Sequence, residues 1–125
     1  MLDILGSNIA TWLRIEQADG PGRYQLSFDD RHIGNPWLRS VHGGVSASMI
    51  EICAEAETRK AVGPDVPLTV STSTVDYLRV TTDVNVHAEA VIARQSKRLS
   101  IVDVICWQND EEKPVARGSV TIKIG

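Results

Sequence analysis

The chain has 125 residues and a mass of 13.7 kDa, enough for one domain, 1–125, whose core needs neither disulfides nor metals. Hydrophobic residues make up 42% and charged residues 23%, a globular balance that excludes a disordered chain or a coiled coil. The 13 Lys and Arg are scattered among 16 Asp and Glu, and the net charge of −3 argues against a nucleic-acid partner.

The opening residues MLDILGSNIATWL carry no basic stretch, and Asp3, Gly6, Ser7 and Asn8 interrupt their apolar run, so no signal peptide is expected. No segment approaches the ~18 apolar residues of a membrane span. Cys53 and Cys106 lie far apart in apolar segments and read as buried thiols in a reducing compartment. The expectation is a cytoplasmic protein with no membrane partner.

Residues 1–11 read as a short amphipathic helix with Leu2, Leu5, Ile9 and Ala10 as its apolar set. Leu13 and Ile15 alternate with Arg14 and Glu16, and Tyr24, Leu26 and Phe28 alternate with Gln25, Ser27 and Asp29. Around Asp19-Gly20-Pro21-Gly22 these runs predict a hairpin. Residues 30–43 look irregular. From about Gly44 to Val62 the spacing predicts a helix: Val45, Met49, Ile52, Cys53 and Ala56 share one face, and Ala47, Ile50 and Ala54 form a second apolar flank. Ser48, Glu51, Glu55 and Thr58 fall on the remaining stripe, and Gly63-Pro64 ends the helix.

Beyond residue 66 the chain reads as strands: one through Val70, Val75 and Arg79, then Val84 to Ile92, Leu99 to Cys106, and Val120 to Ile124. A switch of apolar face after Ile101 predicts a bulge. Long strands follow one another without crossover helices, so the class is α+β, an antiparallel sheet wrapped around one buried helix. Such a sheet leaves open edges and a partly apolar face, which predicts a homo-oligomer.

The sharpest chemical feature is Val41-His42-Gly43-Gly44-Val45, directly before the long helix. A helix N-terminus presents unpaired N–H groups at its positive end, and glycines there let a ligand carbonyl reach them. Such a site stabilises an oxyanion in acyl transfer. Glu51, ~10 Å further along the helix from Gly44 at 1.5 Å per residue, could act as general base on water or as nucleophile. The plainer alternative is a glycine-rich helix start with Glu51 on a solvated stripe. His32, His42 and His87 share no metal-ligand spacing with the cysteines, so no metal site and no cofactor are expected.

The segment VHGGVSASMIEICAEAE resembles the His-Gly-Gly helix motif of hotdog-fold acyl-CoA thioesterases, specifically the PaaI-like group. In that motif an acidic residue follows the His by nine positions, and Glu51 stands in that register from His42. Val75-Asp76-Tyr77-Leu78-Arg79 is similar to the group's DYLRP strand ending, with Val80 in place of Pro. Arg98 to Val104 and Val115-Ala116-Arg117-Gly118-Ser119 resemble its closing hairpin, so the likeness runs over about residues 10–124.

The resemblance implies a hotdog fold, assembled as dimers or as dimers of dimers (homotetramers) with active sites between subunits, acting on an acyl-CoA substrate. It implies that Gly43 supplies the oxyanion N–H, His42 shapes the loop, Glu51 is the catalytic carboxylate and Gly44 lies against the substrate. The family's Asn or Gln stands six residues before the His. Here that position is Pro36, and Asn35, one residue earlier, is the candidate to orient carbonyl or water. A hydroxyl for the water has candidates in Thr69, Ser71, Thr72 and Ser73. The turn with Arg94, Lys97 and Arg98, together with Arg79 and Arg59, offers cations for the CoA phosphates. Trp37 is the candidate for the acyl pocket, whose depth depends on the side chains around Trp37, Met49 and Tyr77. Two other functions compete with hydrolysis. One is a non-catalytic acyl-CoA binder, and the other is a hydratase or dehydratase pairing His32 with Glu51.

Overall fold

The computed structural model describes residues 4–125, so Leu2 of the expected first helix lies outside the described residues. That helix is divided. Ile4–Gly6 form a single 3-10 turn and Asn8–Leu13 a separate helix, α1, because Ser7 is extended and its hydroxyl accepts the Ala10 N–H at 3.3 Å. Arg14, in the left-handed region at φ 62°, closes α1, so Leu13 is helical rather than part of the strand alternation.

β1 (Ile15–Gln17) and β2 (Arg23–Leu26) form the predicted antiparallel hairpin, with Gly20 and Gly22 both at positive φ in its turn. Gly22 is required for a second reason: a Cβ there would lie 2.4 Å from the Ala90 carbonyl oxygen. The stretch expected to be irregular carries a small hairpin of β3 (Ile33–Asn35) and β4 (Ser40–Val41), preceded by a 3-10 turn over Asp30–His32.

The long helix, α2, spans Gly43–Val62 and begins one residue earlier than its apolar pattern. Its buried set follows the expected double flank, with Val45, Met49, Ile50, Ile52, Cys53, Ala54 and Ala56 all enclosed. Thr58, expected on the polar stripe, is fully buried instead. Its hydroxyl faces the equally buried hydroxyl of Ser100 at 3.0 Å, so each satisfies the other.

β5 (Leu68–Tyr77), β6 (Val86–Gln95), β7 (Leu99–Trp107) and β8 (Ala116–Ile124) complete a six-stranded sheet in the order β1-β2-β6-β7-β8-β5. Every pairing is antiparallel, and α2 packs across the inner face of β5 to β8. The predicted bulge falls on the neighbouring strand, with the register of β6 against β7 shifting between Ile92 and Arg94. β7 keeps strict alternation through Ser100, Val102, Val104 and Cys106, and the polar Ser100 had disguised the inward position. β5 closes the sheet as an edge strand. It is exposed along most of its length, with only Leu68, Val70 and Val75 half-buried. No helix among the described residues is long and apolar enough to cross a membrane.

Candidate active site at the start of the long helix

His42 caps α2, and the capping determines which amide stays available. Its Nδ1 accepts the Gly44 N–H at 2.9 Å, and its carbonyl accepts the Val45 N–H at 2.9 Å. An Nδ1 that accepts puts the proton of the neutral ring on Nε2. The Gly43 N–H finds no acceptor among the described residues and remains the open donor of the first turn. Both glycines are closely packed. A Cβ on Gly44 would meet His42 Nδ1 at 3.0 Å, and one on Gly43 would meet Tyr77 Oη at 3.3 Å. Gly34, in β3, allows the hairpin to pack behind the cap, since a Cβ there would lie 2.9 Å from His42 Cα.

Tyr77, at the end of β5, donates its hydroxyl to the Gly43 carbonyl at 2.8 Å. Arg79 is two residues on, its guanidinium bonded to the Pro114 carbonyl at 2.7 Å. Gly43, Ser46, Tyr77 and Arg79 line one cleft of about 460 Å³. A second cleft of about 290 Å³ lies beside His42 and Gly44, walled by Ile9, Trp12 and Arg31. It adjoins a third of about 210 Å³ that holds Glu51, Glu55 and Val70, and Ile9 and Ser48 line both. Ser48, read from sequence as part of a solvated stripe, thus joins the helix start to the carboxylate together with Ile9.

The remaining candidates are distributed unevenly. Glu51 is half-buried, eight residues along α2 from Gly43, which is ~12 Å of helix axis. Asn35 Oδ1 accepts the N–H groups of Trp37 at 3.1 Å and Leu38 at 3.3 Å, so it stabilises its own turn. Trp37 is 92% exposed. Lys97 and Arg98 occupy the β6–β7 turn, beside Lys123 and the start of β5, whereas Gly43 lies by the far end of β5 at Tyr77. One strand length, ~30 Å, separates the two ends. Thr69, Ser71, Thr72 and Ser73 are all exposed on β5. His32 is sealed from solvent with Nδ1 accepting the Asp29 N–H at 3.1 Å, so it offers no base beside Glu51. Among the described residues no three His, Cys, Asp or Glu side chains converge as a metal site.

The sequence matches the family model described as "Thioesterase superfamily" over residues 38–115, which includes the α2 cap, Glu51, Tyr77 and Arg79. No curated protein matches it. Solved structures with a similar fold include a Bacillus halodurans protein determined with CoA, 22% identical, covering 96% of this chain and 77% of that one at a TM-score of 0.83. A Haemophilus influenzae thioesterase is 16% identical over 98% of this chain and 85% of its own, with a TM-score of 0.85. A conserved protein of Pseudomonas aeruginosa is 20% identical over 98% and 97%, with a TM-score of 0.86. Likeness at these identities fixes the fold, a sheet wrapped on a central helix in the hotdog manner.

Proposed function

Because the chain belongs to the thioesterase superfamily, we propose that it hydrolyses an acyl-CoA thioester at the start of α2. The observation that carries this reading is the Gly43 N–H, left open when His42 takes the neighbouring amide, at the positive end of a 20-residue helix. The thioester carbonyl accepts that N–H. Glu51 takes a proton from water as the water oxygen adds to the carbonyl carbon, and the resulting oxyanion stays on Gly43. The C–S bond then breaks, CoA leaves as the thiolate, and the proton held by Glu51 returns to the sulfur.

A single chain supports this chemistry only in halves, because ~12 Å of helix separates Gly43 from Glu51 and a reacting carbon must lie within ~3 Å of both groups. The long exposed edge of β5 supports a homodimer in which two copies of β5 pair antiparallel about Ser73–Thr74. Tyr77 then meets the partner's Val70, and Val70 shares a cleft with Glu51. The same pairing turns the partner's Lys97 and Arg98 toward the Arg79 end, where the three cations can hold CoA phosphates. His42 and Gly44 line the substrate path, and Trp37, exposed in the single chain, is assigned to the acyl end.

The PaaI-like grouping, a homotetramer and a cytoplasmic location belong to this proposal. Non-catalytic acyl-CoA binding is the second reading, favoured by Asn35, whose Oδ1 is already committed to its own loop. A thiol-release assay over acetyl- to palmitoyl-CoA, phenylacetyl-CoA and benzoyl-CoA decides between them. Turnover lost in Glu51→Gln supports hydrolysis, whereas tight binding with no turnover across the panel supports the binder.

A further inference from the structure

Gly43 and Gly44 carry no side chains to restrict their torsions, yet the peptide unit between them is held at both ends. Its carbonyl, on Gly43, accepts from Tyr77 Oη at 2.8 Å, and its N–H, on Gly44, donates to His42 Nδ1 at 2.9 Å. The three groups form one continuous chain: phenol to carbonyl, across the peptide, amide to imidazole. Each bond in such a chain polarises the next. The Tyr77 ring also closes over the glycine, its Cζ lying 3.4 Å from where a Gly43 Cβ would be.

Tyr77 is itself fixed from the sheet. It pairs with Ala116 at the end of β5, and the next two amides, of Leu78 and Arg79, both donate to the Val115 carbonyl, at 2.8 and 3.2 Å. The hydroxyl therefore ties the rigid end of the sheet to the most pliant peptide of the helix start.

We propose that Tyr77 is a positioning residue: it holds the Gly43–Gly44 peptide, which meets at the Gly43 Cα the His42–Gly43 peptide tied by Val45 N–H to the His42 carbonyl at 2.9 Å, and so fixes the Gly43 torsions that aim the Gly43 N–H at the reacting carbonyl. This rests on the reading of Gly43 as oxyanion donor. It assigns the phenol no contact with substrate. Its effect should appear in the chemical step and in the state of the cap, not in substrate capture.

Tyr77→Phe tests it, since the ring remains and only the hydroxyl is lost. The expected result is a fall of about five- to tenfold in kcat, the scale of one net hydrogen bond, with KM within about twofold. In ¹⁵N NMR the Gly44 amide should move upfield, and the His42 ring should lose its strict preference for the Nε2–H tautomer. Unchanged kcat with an unchanged Gly44 amide overturns the proposal, and so does a raised KM at constant kcat, which would make Tyr77 a wall of the substrate site. A wild-type protein that hydrolyses nothing defeats the thioesterase reading. The Gly44 and His42 resonances would still decide whether Tyr77 sets the peptide.

Discussion

The carbonyl of His32 accepts the backbone N–H of His42 at 2.8 Å, so a histidine wholly enclosed by protein holds the histidine that caps α2. The enclosed ring accepts the Asp29 N–H through Nδ1 and meets Trp12 and Phe28 edge-on, with centroids 6.0 and 6.2 Å away. Burial pushes its pKa below the ordinary 6.5. The nearby Asp29 carboxylate opposes that shift, and Arg31 and Arg14 reinforce it. A neutral buried ring beside an unfolded chain that protonates near 6.5 means the unfolded state binds more protons as the pH falls. Stability is therefore full above that value and declines below it, toward the lower folded pKa. Thermal melts between pH 7.5 and 5 should show Tm falling below about 6.5, and His32→Asn, with Oδ1 in place of Nδ1, should flatten the slope. An equal slope in both proteins would remove His32 as its cause.

Glu51→Gln preserves shape and hydrogen-bonding capacity but cannot take a proton. Turnover should drop about 10²–10⁴-fold, the usual contribution of a general base, with KM little changed. Steady-state kinetics on the best acyl-CoA checks it.

The proposed division of the site between two copies predicts that two inactive variants reassemble it. Gly43→Val places a branched side chain against Tyr77 and over the open amide. Mixed with Glu51→Gln through unfolding and refolding, it should restore about a quarter of wild-type activity, because half the dimers are hybrids with one intact site. No recovery, with hybrids confirmed by mass, would place donor and carboxylate in one chain.

Gly118 in β8 lies against the sheet backbone and the helix together. A Cβ there would stand 2.6 Å from the Thr74 carbonyl oxygen and 2.9 Å from Ile50 Cγ2. Neither backbone nor a packed isoleucine can yield that far, so Gly118→Ala should cost about 1–3 kcal/mol or more, measured as a lower midpoint in urea.

The two thiols are both buried, and burial raises the pKa of Cys53 well above its usual value and pushes that of Cys106 up to about 12. Thiolate is the reactive form. Ellman's reagent should therefore find no thiol in the native protein and two after denaturation, which leaves the thiol-release assay without background.

Periodicity made the architecture legible, since a helix with two apolar flanks and four long alternating runs leaves few arrangements open. It erred where a polar residue sits inside. Thr58 and Ser100 satisfy one another, so each reads as solvent-facing when taken alone, and the bulge was assigned to β7 when β6 carries it. Ser7 broke the first helix because a hydroxyl competes locally for amides, a choice that apolar spacing does not record. Of the site, the pairing of glycines with a following acid was visible. Which amide stays open came only through the family likeness, which pointed to Gly43; the residues alone did not show it, because it depends on the side-chain torsion of His42. The separation of Lys97 and Arg98 from Gly43 likewise depends on strand order, and the hold of Tyr77 on the Gly43 carbonyl joins residues 34 positions apart.

The hydroxyl pair of Thr58 and Ser100 also sets the register between helix and sheet. An apolar seam between a helix and a sheet is nearly indifferent to sliding by one turn, because one aliphatic contact replaces another at little loss. A pair of hidden hydroxyls is not indifferent: displaced by a turn, each is stranded among methyl groups at about 1–3 kcal/mol apiece. The pair works as a key in a lock, fixing the axial position of α2 near its C-terminal end. Some 24 Å of helix away at 1.5 Å per residue, that same setting determines how far the His42 cap projects past the rim of the sheet.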